Sequence, residues 1–259
     1  VFFVGFPGKE AWWIRNTGEK ARWEKHVVFD SVDNESPAFV DMTGDGRPEL
    51  VCQNADRLGW AEADWSDPRK PWTFHAVMPS AGPRFTHGLG IGDVNGDGRP
   101  DILRKEGWYE HPAARDGAWT AHPQVFSTSH GGAQMLVTDV DGDGDADVVT
   151  SNAAHNWGLS WFEQKDGGFV EHEVLPKQRA PGNVSELHAL ALADLDGDGL
   201  LDVVTGKRWW SHGPTHDGNQ DGANDPAVLL GLLLRREGGE TRYEPVVLDT
   251  ESGVGTQVA

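Results

Sequence analysis

The chain has 259 residues, which is enough to bury one sizeable core or two small ones. Its 41 acidic side chains outnumber the 22 lysines and arginines, and the net charge of −19 argues against a nucleic-acid or anionic-membrane surface. The longest apolar run, residues 227–234, is far too short to span a bilayer and is typical of a buried strand.

Short strand-like segments follow one another along the chain, and 33 glycines and 15 prolines favour tight turns between them. Residues 1–30 contain three such segments. Each later stretch repeats a short extended segment, an acidic loop, a β-rich segment, an aromatic segment and a closing segment. The spacing of apolar residues that indicates helices is hard to find. Four strands in a period of about 50 residues are typical of a propeller blade.

The predicted fold is all-β, a β-propeller of four-stranded antiparallel blades with five blade equivalents in this chain. We predict one domain at 1–259, with units at about 1–35, 36–80, 81–128, 129–178 and 179–250 and a partial first strand at 251–259. The chain begins and ends inside a blade. Either the two ends share one blade of a five-bladed ring, or the chain is an excerpt of a larger propeller.

The acidic loop occurs four times, as DMTGDGRPE at 41–49, DVNGDGRPD at 93–101, DVDGDGDAD at 139–147 and DLDGDGLLD at 194–202. Oxygen donors at positions 1, 3, 5 and 9, with a backbone carbonyl at position 7, match the 6–8 oxygen ligands of calcium. The glycine at position 6 permits the turn around the ion. The predicted ligands are Asp41, Thr43, Asp45, Glu49, Asp93, Asn95, Asp97, Asp101, Asp139, Asp141, Asp143, Asp147, Asp194, Asp196, Asp198 and Asp202.

Turn loops that bind no metal are the alternative. Fifteen carboxylates lie in the four loops, and like charges at such spacing repel one another without a cation. An EF-hand is excluded because its helices and its glutamate at position 12 are missing. We therefore expect about four structural calcium ions, with the first loop as the weakest site because Thr43 replaces a carboxylate or amide.

A histidine, His87, lies six residues before the aspartate that opens the second loop, Asp93. Because a strand rises about 3.3 Å per residue, the two residues are about 20 Å apart and cannot share an ion. His87 therefore belongs at the end of the innermost strand that is opposite the acidic loop. In a propeller this end faces the central channel.

The same offset leads to two further polar residues, Glu35 before the first loop and His188 before the fourth. Two histidines and one carboxylate are a common ligand set for zinc or a similar divalent ion with an open position for substrate. We predict that Glu35, His87 and His188 hold such a metal at the channel mouth, with His130 or His155 as further ligands. A polar ligand-binding mouth without metal, and histidines that only pack between blades, are the alternatives.

The DxDGDGxxD loops between strands resemble the FG-GAP/VCBS repeats of integrin-type and bacterial extracellular β-propellers. This resemblance covers nearly the whole chain and implies a calcium-binding propeller that is secreted, periplasmic or on the cell surface. It leaves the function open, because such propellers serve as lectins, adhesion heads, lyases and scaffolds.

A narrower resemblance rests on HGLGIGDVNGDGRPD, LHALALADLDGDG and TGKRWWSHG. These segments look like a subgroup of bacterial secreted FG-GAP proteins whose full chains have seven blades, which favours the excerpt. The subgroup is similar to the propeller domain of aldos-2-ulose dehydratase, in which a channel-mouth metal acts on keto-sugars. The resemblance implies a metal-dependent lyase or dehydratase that acts on an oxidised sugar.

In such a reaction His155 or His130 would take the proton, and Lys207, Arg208 or His212 would bind or protonate the departing oxygen. The alternative function is a non-catalytic propeller that binds carbohydrate or protein, or a scaffold attached to other domains of a longer chain. A carbohydrate or another small polar molecule is the expected ligand. Trp157 is predicted to stack on it, whereas the other tryptophans at repeating positions are expected in the core.

Overall fold

A computed structural model of the protein describes residues 2–18, 22–78, 82–128, 131–132, 134–209 and 221–255. All regular elements among these residues are β-strands. No helix in this part of the chain has the length and apolar character that a membrane span requires. The predicted all-β class is confirmed.

The first sheet is antiparallel and has three strands, β1 (Phe2–Val4), β2 (Lys9–Arg15) and β3 (Glu24–Val32). It agrees with the three strand-like segments predicted for residues 1–30. The other four sheets each contain four antiparallel strands, which is the architecture of a propeller blade.

These four sheets follow the order of the chain from the first strand to the fourth. The second sheet is β4 (Ala38–Val40), β5 (Glu49–Asn54), β6 (Arg57–Glu62) and β7 (Thr73–Met78). The third is β8 (Leu89–Gly92), β9 (Asp101–Arg104), β10 (Gly107–Glu110) and β11 (Thr120–Pro123). The fourth is β12 (Leu136–Thr138), β13 (Asp147–Ser151), β14 (Leu159–Lys165) and β15 (Gly168–Leu175). The fifth is β16 (Ala191–Ala193), β17 (Asp202–Lys207), β18 (Val228–Glu237) and β19 (Glu240–Asp249).

The chain divides into two compact units. The first unit comprises Val1–Thr86 and Pro112–Trp119 and contains the first two sheets. The second comprises His87–His111 and Thr120–Ala259 and contains the other three. Of the predicted partial strand at 251–259, residues 251–255 form no strand, and residues 256–259 lie outside the described residues.

The second strand of each blade is buried on both faces. All five residues of β13 are buried, and so are five of the six residues of β5. Because both faces of these second strands are covered, they have continuous apolar runs instead of alternating apolar and polar residues. The apolar run at 227–234 likewise forms part of a partly buried strand, β18, as predicted.

Neighbouring sheets of the second unit pack directly on one another. One cluster of buried side chains joins the fourth and fifth sheets and contains Val149, Trp161 and Leu232. At the inner strands Gly90 forms a parallel bridge with Met135, and a Cβ atom at Gly90 would lie 2.6 Å from the carbonyl oxygen of Met135. Glycine is required at this position because any side chain would push the third and fourth sheets apart.

Tryptophan and histidine pair across the third and fourth strands of three blades. The rings stack with centroids 4.1, 4.0 and 4.3 Å apart in Trp60–His75, Trp108–His122 and Trp161–His172. The three indoles are at most 9% exposed. The prediction that these tryptophans belong to the core is confirmed, and the stacked histidines are a repeating feature that the sequence analysis missed.

Candidate functional site

Each acidic loop begins after the first strand of a blade and ends at the first residue of the second strand. The carboxylate at loop position 9 is buried and accepts a hydrogen bond from the backbone N–H at position 2, at 2.8–2.9 Å, in all four loops. These four carboxylates belong to Glu49, Asp101, Asp147 and Asp202. The position 9 carboxylate therefore closes the loop as well as being a predicted ligand.

In the last three loops the second oxygen of this carboxylate accepts an N–H from the third strand or from the residue after it. The donors are His111 at 2.8 Å, Gln164 at 2.8 Å and Leu234 at 2.7 Å. One side chain thus ties the loop to two strands of its blade. A charged residue at the start of an otherwise apolar strand was the sequence signal for this role.

The loop backbone turns through glycines in the left-handed region. At position 6 the four glycines, Gly46, Gly98, Gly144 and Gly199, have φ angles of 83°, 84°, 97° and 88°. The aspartate at position 1 accepts backbone hydrogen bonds from the loop, for example from Gly142 to Asp139 at 2.6 Å. These conformations draw the side chains of the loop toward one point, as the repeat predicted.

The donor atoms fit a calcium ion. Carboxylate oxygens of Asp139, Asp141 and Asp147 lie within 4.8 Å of one another, and those of Asp194, Asp196 and Asp202 do the same. In the first loop the buried hydroxyl of Thr43 has no hydrogen-bond partner among the described residues. A convergent all-oxygen donor set is what calcium selects, and an ion would give this hydroxyl a partner.

One loop already has a cationic neighbour within the protein. The guanidinium of Arg235, on β18, lies 2.6 Å from Asp196 and 2.8 Å from Asp198 in the fourth loop. It offsets part of the loop charge and lowers the pKa of Asp196 through its hydrogen bond. A calcium ion in this loop would compete with an internal cation for the same two carboxylates.

Burial raises the pKa of the position 9 carboxyl to about 6 in Glu49, Asp101 and Asp147. The backbone hydrogen bonds act in the opposite direction, and the other loop aspartates add to the rise. These groups therefore hold protons in the folded protein at a pH at which they are ionised in the unfolded chain.

For calcium-stripped protein we expect these three carboxyls to contribute a fall in the free energy of unfolding between about pH 4 and pH 6 as the pH rises. At these groups the folded state binds more protons than the unfolded state in this window, so removal of protons favours unfolding. Excess calcium should reverse the trend, because the ion binds the carboxylate form. Urea titrations at several pH values measure both slopes, and equal slopes with and without calcium would contradict the assignment.

Three histidines from three different sheets meet in the second unit. His87 precedes β8, His155 lies between β13 and β14, and His188 precedes β16. One ring nitrogen of each lies within 4.8 Å of the corresponding atoms of the other two. The ring centroids are 4.8–5.4 Å apart and the rings are steeply inclined to one another. This geometry suits three nitrogen ligands of one ion.

The tautomer of His188 is set by its surroundings. Its Nδ1 lies 2.9 Å from the backbone carbonyl oxygen of Glu186, which can only accept, so Nδ1 carries the proton. Nε2 is then unprotonated, and it is buried without a hydrogen-bond partner among the described residues. Burial lowers the pKa of His188 to about 3, and the charge of Arg208 and the other two histidines add to this effect. A neutral imidazole with one free lone pair is the form that binds a metal.

The structure brings together part of the predicted site. His87 and His188 meet as expected, and His155, which was predicted as a further ligand or as a base, lies beside them. Glu35 lies in the first unit, where its N–H donates to the carbonyl oxygen of Thr86 at 3.1 Å, and it stays a predicted ligand. His130 and His212 lie outside the described residues.

Two predicted cationic residues have different surroundings. Lys207 is 1% exposed, and its ammonium donates to the carbonyl oxygens of Arg208 at 2.9 Å and Ala223 at 3.0 Å. Its predicted contact with a departing oxygen does not agree with this interior position. Arg208 is half-buried, and its charge acts on His188.

The prediction that Trp157 stacks on a ligand does not agree with the structure. Its side chain is 5% exposed, and the guanidinium of Arg179 lies over the ring, 5.1 Å from its centroid. The cationic group occupies the ring face that a sugar would need.

Residues 139–205 match the family described as FG-GAP-like repeat. This segment contains the third and fourth acidic loops and two of the three clustered histidines. No curated protein matches the chain at a significant level. The repeat type predicted from the acidic loops is therefore confirmed for this segment.

Two solved structures are similar to the chain. One is a lectin from Agrocybe aegerita, described by its specific recognition of non-reducing terminal N-acetylglucosamine, with 18% sequence identity and a TM-score of 0.55. The similarity covers 96% of this chain and 63% of the lectin, so the chain spans less than two thirds of that protein. The other is the V. cholerae biofilm matrix protein Bap1, with 17% identity, a TM-score of 0.45 and coverage of 92% and 36%. The similarity to the lectin supports the propeller fold.

Proposed function

We propose that the chain is a carbohydrate-binding β-propeller in which His87, His155 and His188 hold a divalent transition metal. The observation that carries this proposal is the convergence of three ring nitrogens from three sheets within 4.8 Å. The four acidic loops bind calcium and stabilise their blades. The predicted secreted, periplasmic or cell-surface location belongs to the same proposal.

The electrostatics of the cluster support a metal. The cluster brings together the rings of three histidines, and Nε2 of His188 has no hydrogen bond among the described residues. Such a buried polar atom has a free-energy cost unless it gains a partner. Zinc binds three histidines in a tetrahedral site and leaves one position open.

The open coordination position of the proposed metal suits a small ligand with oxygen donors. Hydroxyl and carbonyl oxygens of a sugar are suitable fourth ligands for a divalent ion. The half-buried His155 is the most accessible of the three side chains, which places the open side of the cluster near it. The similar lectin recognises a terminal sugar, and this supports a carbohydrate as the ligand class.

The second candidate is a metal-dependent lyase or dehydratase of an oxidised sugar, as the narrower resemblance implies. Three histidines with an open position are also the ligand set of catalytic zinc, which polarises a carbonyl when bound. However, His155 as a ligand no longer serves as the base, and Lys207 is buried beside carbonyl oxygens. Binding is therefore the first candidate.

Elemental analysis of protein purified with added zinc and calcium tests the proposal together with glycan binding. We expect about one zinc per chain and sugar binding that is lost on treatment with phenanthroline, which removes zinc and leaves calcium. His188→Ala should lose both properties, whereas His172→Ala, which alters a histidine stacked on Trp161, should keep both. Glycan binding that survives phenanthroline and His188→Ala would contradict the metal-dependent mode, and turnover of a keto-sugar would favour the second candidate.

A further inference from the structure

Glu186 connects two of the three histidine segments through its backbone. Its N–H donates to the carbonyl oxygen of Asn156, next to His155, at 2.7 Å. Its own carbonyl oxygen accepts the Nδ1–H of His188 at 2.9 Å. One peptide segment therefore sets the tautomer of one predicted ligand and holds the chain beside another.

This residue has an unusual backbone conformation. Its φ is 60°, in the left-handed region that non-glycine residues rarely adopt. For an ordinary L-residue this conformation is less favourable than the right-handed one, because the Cβ atom crowds the backbone. It persists only where the surroundings hold it, and such residues cluster at functional sites.

The side chain of Glu186 is anchored by a buried cation. Its carboxylate lies 3.8 Å from the ammonium of Lys207, and both side chains are at most 1% exposed. The same ammonium donates to the carbonyl oxygens of Arg208 and Ala223, so it cannot move without losing these hydrogen bonds. A buried ion pair held in this way is costly to break from one side.

We propose that Glu186 is a positioning residue for the metal centre. Its ion pair with Lys207 keeps the backbone left-handed, and that backbone directs the carbonyl toward His188 and the N–H toward the His155 segment. If the backbone relaxed to negative φ, both groups would rotate away and the ligand set would loosen. This inference rests on the proposed metal site and names the residues that prepare it.

The matched variants Glu186→Ala and Glu186→Gly separate the backbone from the charge. Both variants remove the carboxylate, so Lys207 loses this acidic partner. Alanine also disfavours positive φ, whereas glycine adopts it without steric cost. We expect zinc affinity to fall about 10- to 100-fold in Glu186→Ala, the usual effect of losing a residue that orients a ligand, and to recover substantially in Glu186→Gly.

Zinc titration of the calcium-loaded full chain, with the cobalt absorption spectrum as a second readout, measures these effects. Equal zinc affinity and equal cobalt spectra in the wild type and both variants, or equal losses in both variants, would overturn the positioning role. A wild type that binds no zinc would overturn the proposed function and this inference together. Failure of the positioning role and absence of the metal site therefore give different results.

A measurement on the wild type covers the case in which Glu186→Ala does not fold. Nitrogen NMR of the histidine rings in zinc-free, calcium-loaded protein should show His188 protonated at Nδ1 and unprotonated at Nε2, as the hydrogen bond to Glu186 requires. The opposite tautomer, or a mixture of both, would show that the Glu186 carbonyl does not orient the ring.

Discussion

Zinc is expected to raise the thermal unfolding temperature of the calcium-loaded protein, and His188→Ala should abolish this rise. The three histidines come from three sheets of the second unit, so they separate when the chain unfolds. The folded state therefore binds the ion and the unfolded chain does not. Free zinc at a hundred times its dissociation constant would stabilise the folded state by about 2.7 kcal/mol. Thermal unfolding at fixed calcium and increasing zinc measures the effect.

The matched control is His122→Ala. His122 lies in the same unit, but its ring stacks on Trp108 and its Nε2 lies 2.8 Å from Glu110. This variant should change the baseline stability and keep the full increase with zinc. An unchanged zinc response in His188→Ala, or a response lost equally in His122→Ala, would place zinc elsewhere.

Asp147→Ala is expected to lower the free energy of unfolding in calcium by about 4 kcal/mol. The carboxylate accepts one N–H from Val140 and one from Gln164, both at 2.8 Å, and it is fully buried. Each buried N–H left without a partner costs about 1–3 kcal/mol. The variant also removes a ligand from the calcium set of the third loop. Urea unfolding with and without calcium separates the two contributions.

Asp147→Asn gives the finer comparison. The amide keeps the volume and one acceptor oxygen, so in calcium-free buffer its loss of stability should be about half that of Asp147→Ala. Its response to calcium should be as weak as that of Asp147→Ala, because the charge is gone. Glu173→Ala, at an exposed position of the same sheet, should change stability by less than about 0.5 kcal/mol. A full calcium response in Asp147→Asn would remove Asp147 from the ligand set.

The acidic loops could be predicted well because every group in them is local. Their donors lie within nine consecutive residues, and the glycines at position 6 adopt the left-handed angles that the pattern requires. The second role of Asp101, Asp147 and Asp202 could not be predicted in this way. Their hydrogen bonds to the third strand depend on which strands pair, and residue spacing does not contain that information.

The histidine site could be predicted only in part. A common offset from the acidic loops identified His87 and His188, because both precede a first strand at the same position in their repeats. His155 has no counterpart at that offset, since it belongs to a connection between the second and third strands. The left-handed Glu186 had no signal in the sequence, because the buried lysine that pairs with its carboxylate lies on a strand distant from it in the chain.

The amino-acid sequence by itself determined the repeat, the strand order within each blade and the acidic loops, because these depend on residues close together in the chain. Only the tertiary structure decided which histidines meet, which carboxylates are buried and which lysine is enclosed. These features depend on packing between sheets, where Val149 and Trp161 of one blade and Leu232 of the next belong to one buried cluster. Such contacts bring distant segments within a few ångströms of one another, and no local pattern in the sequence specifies them.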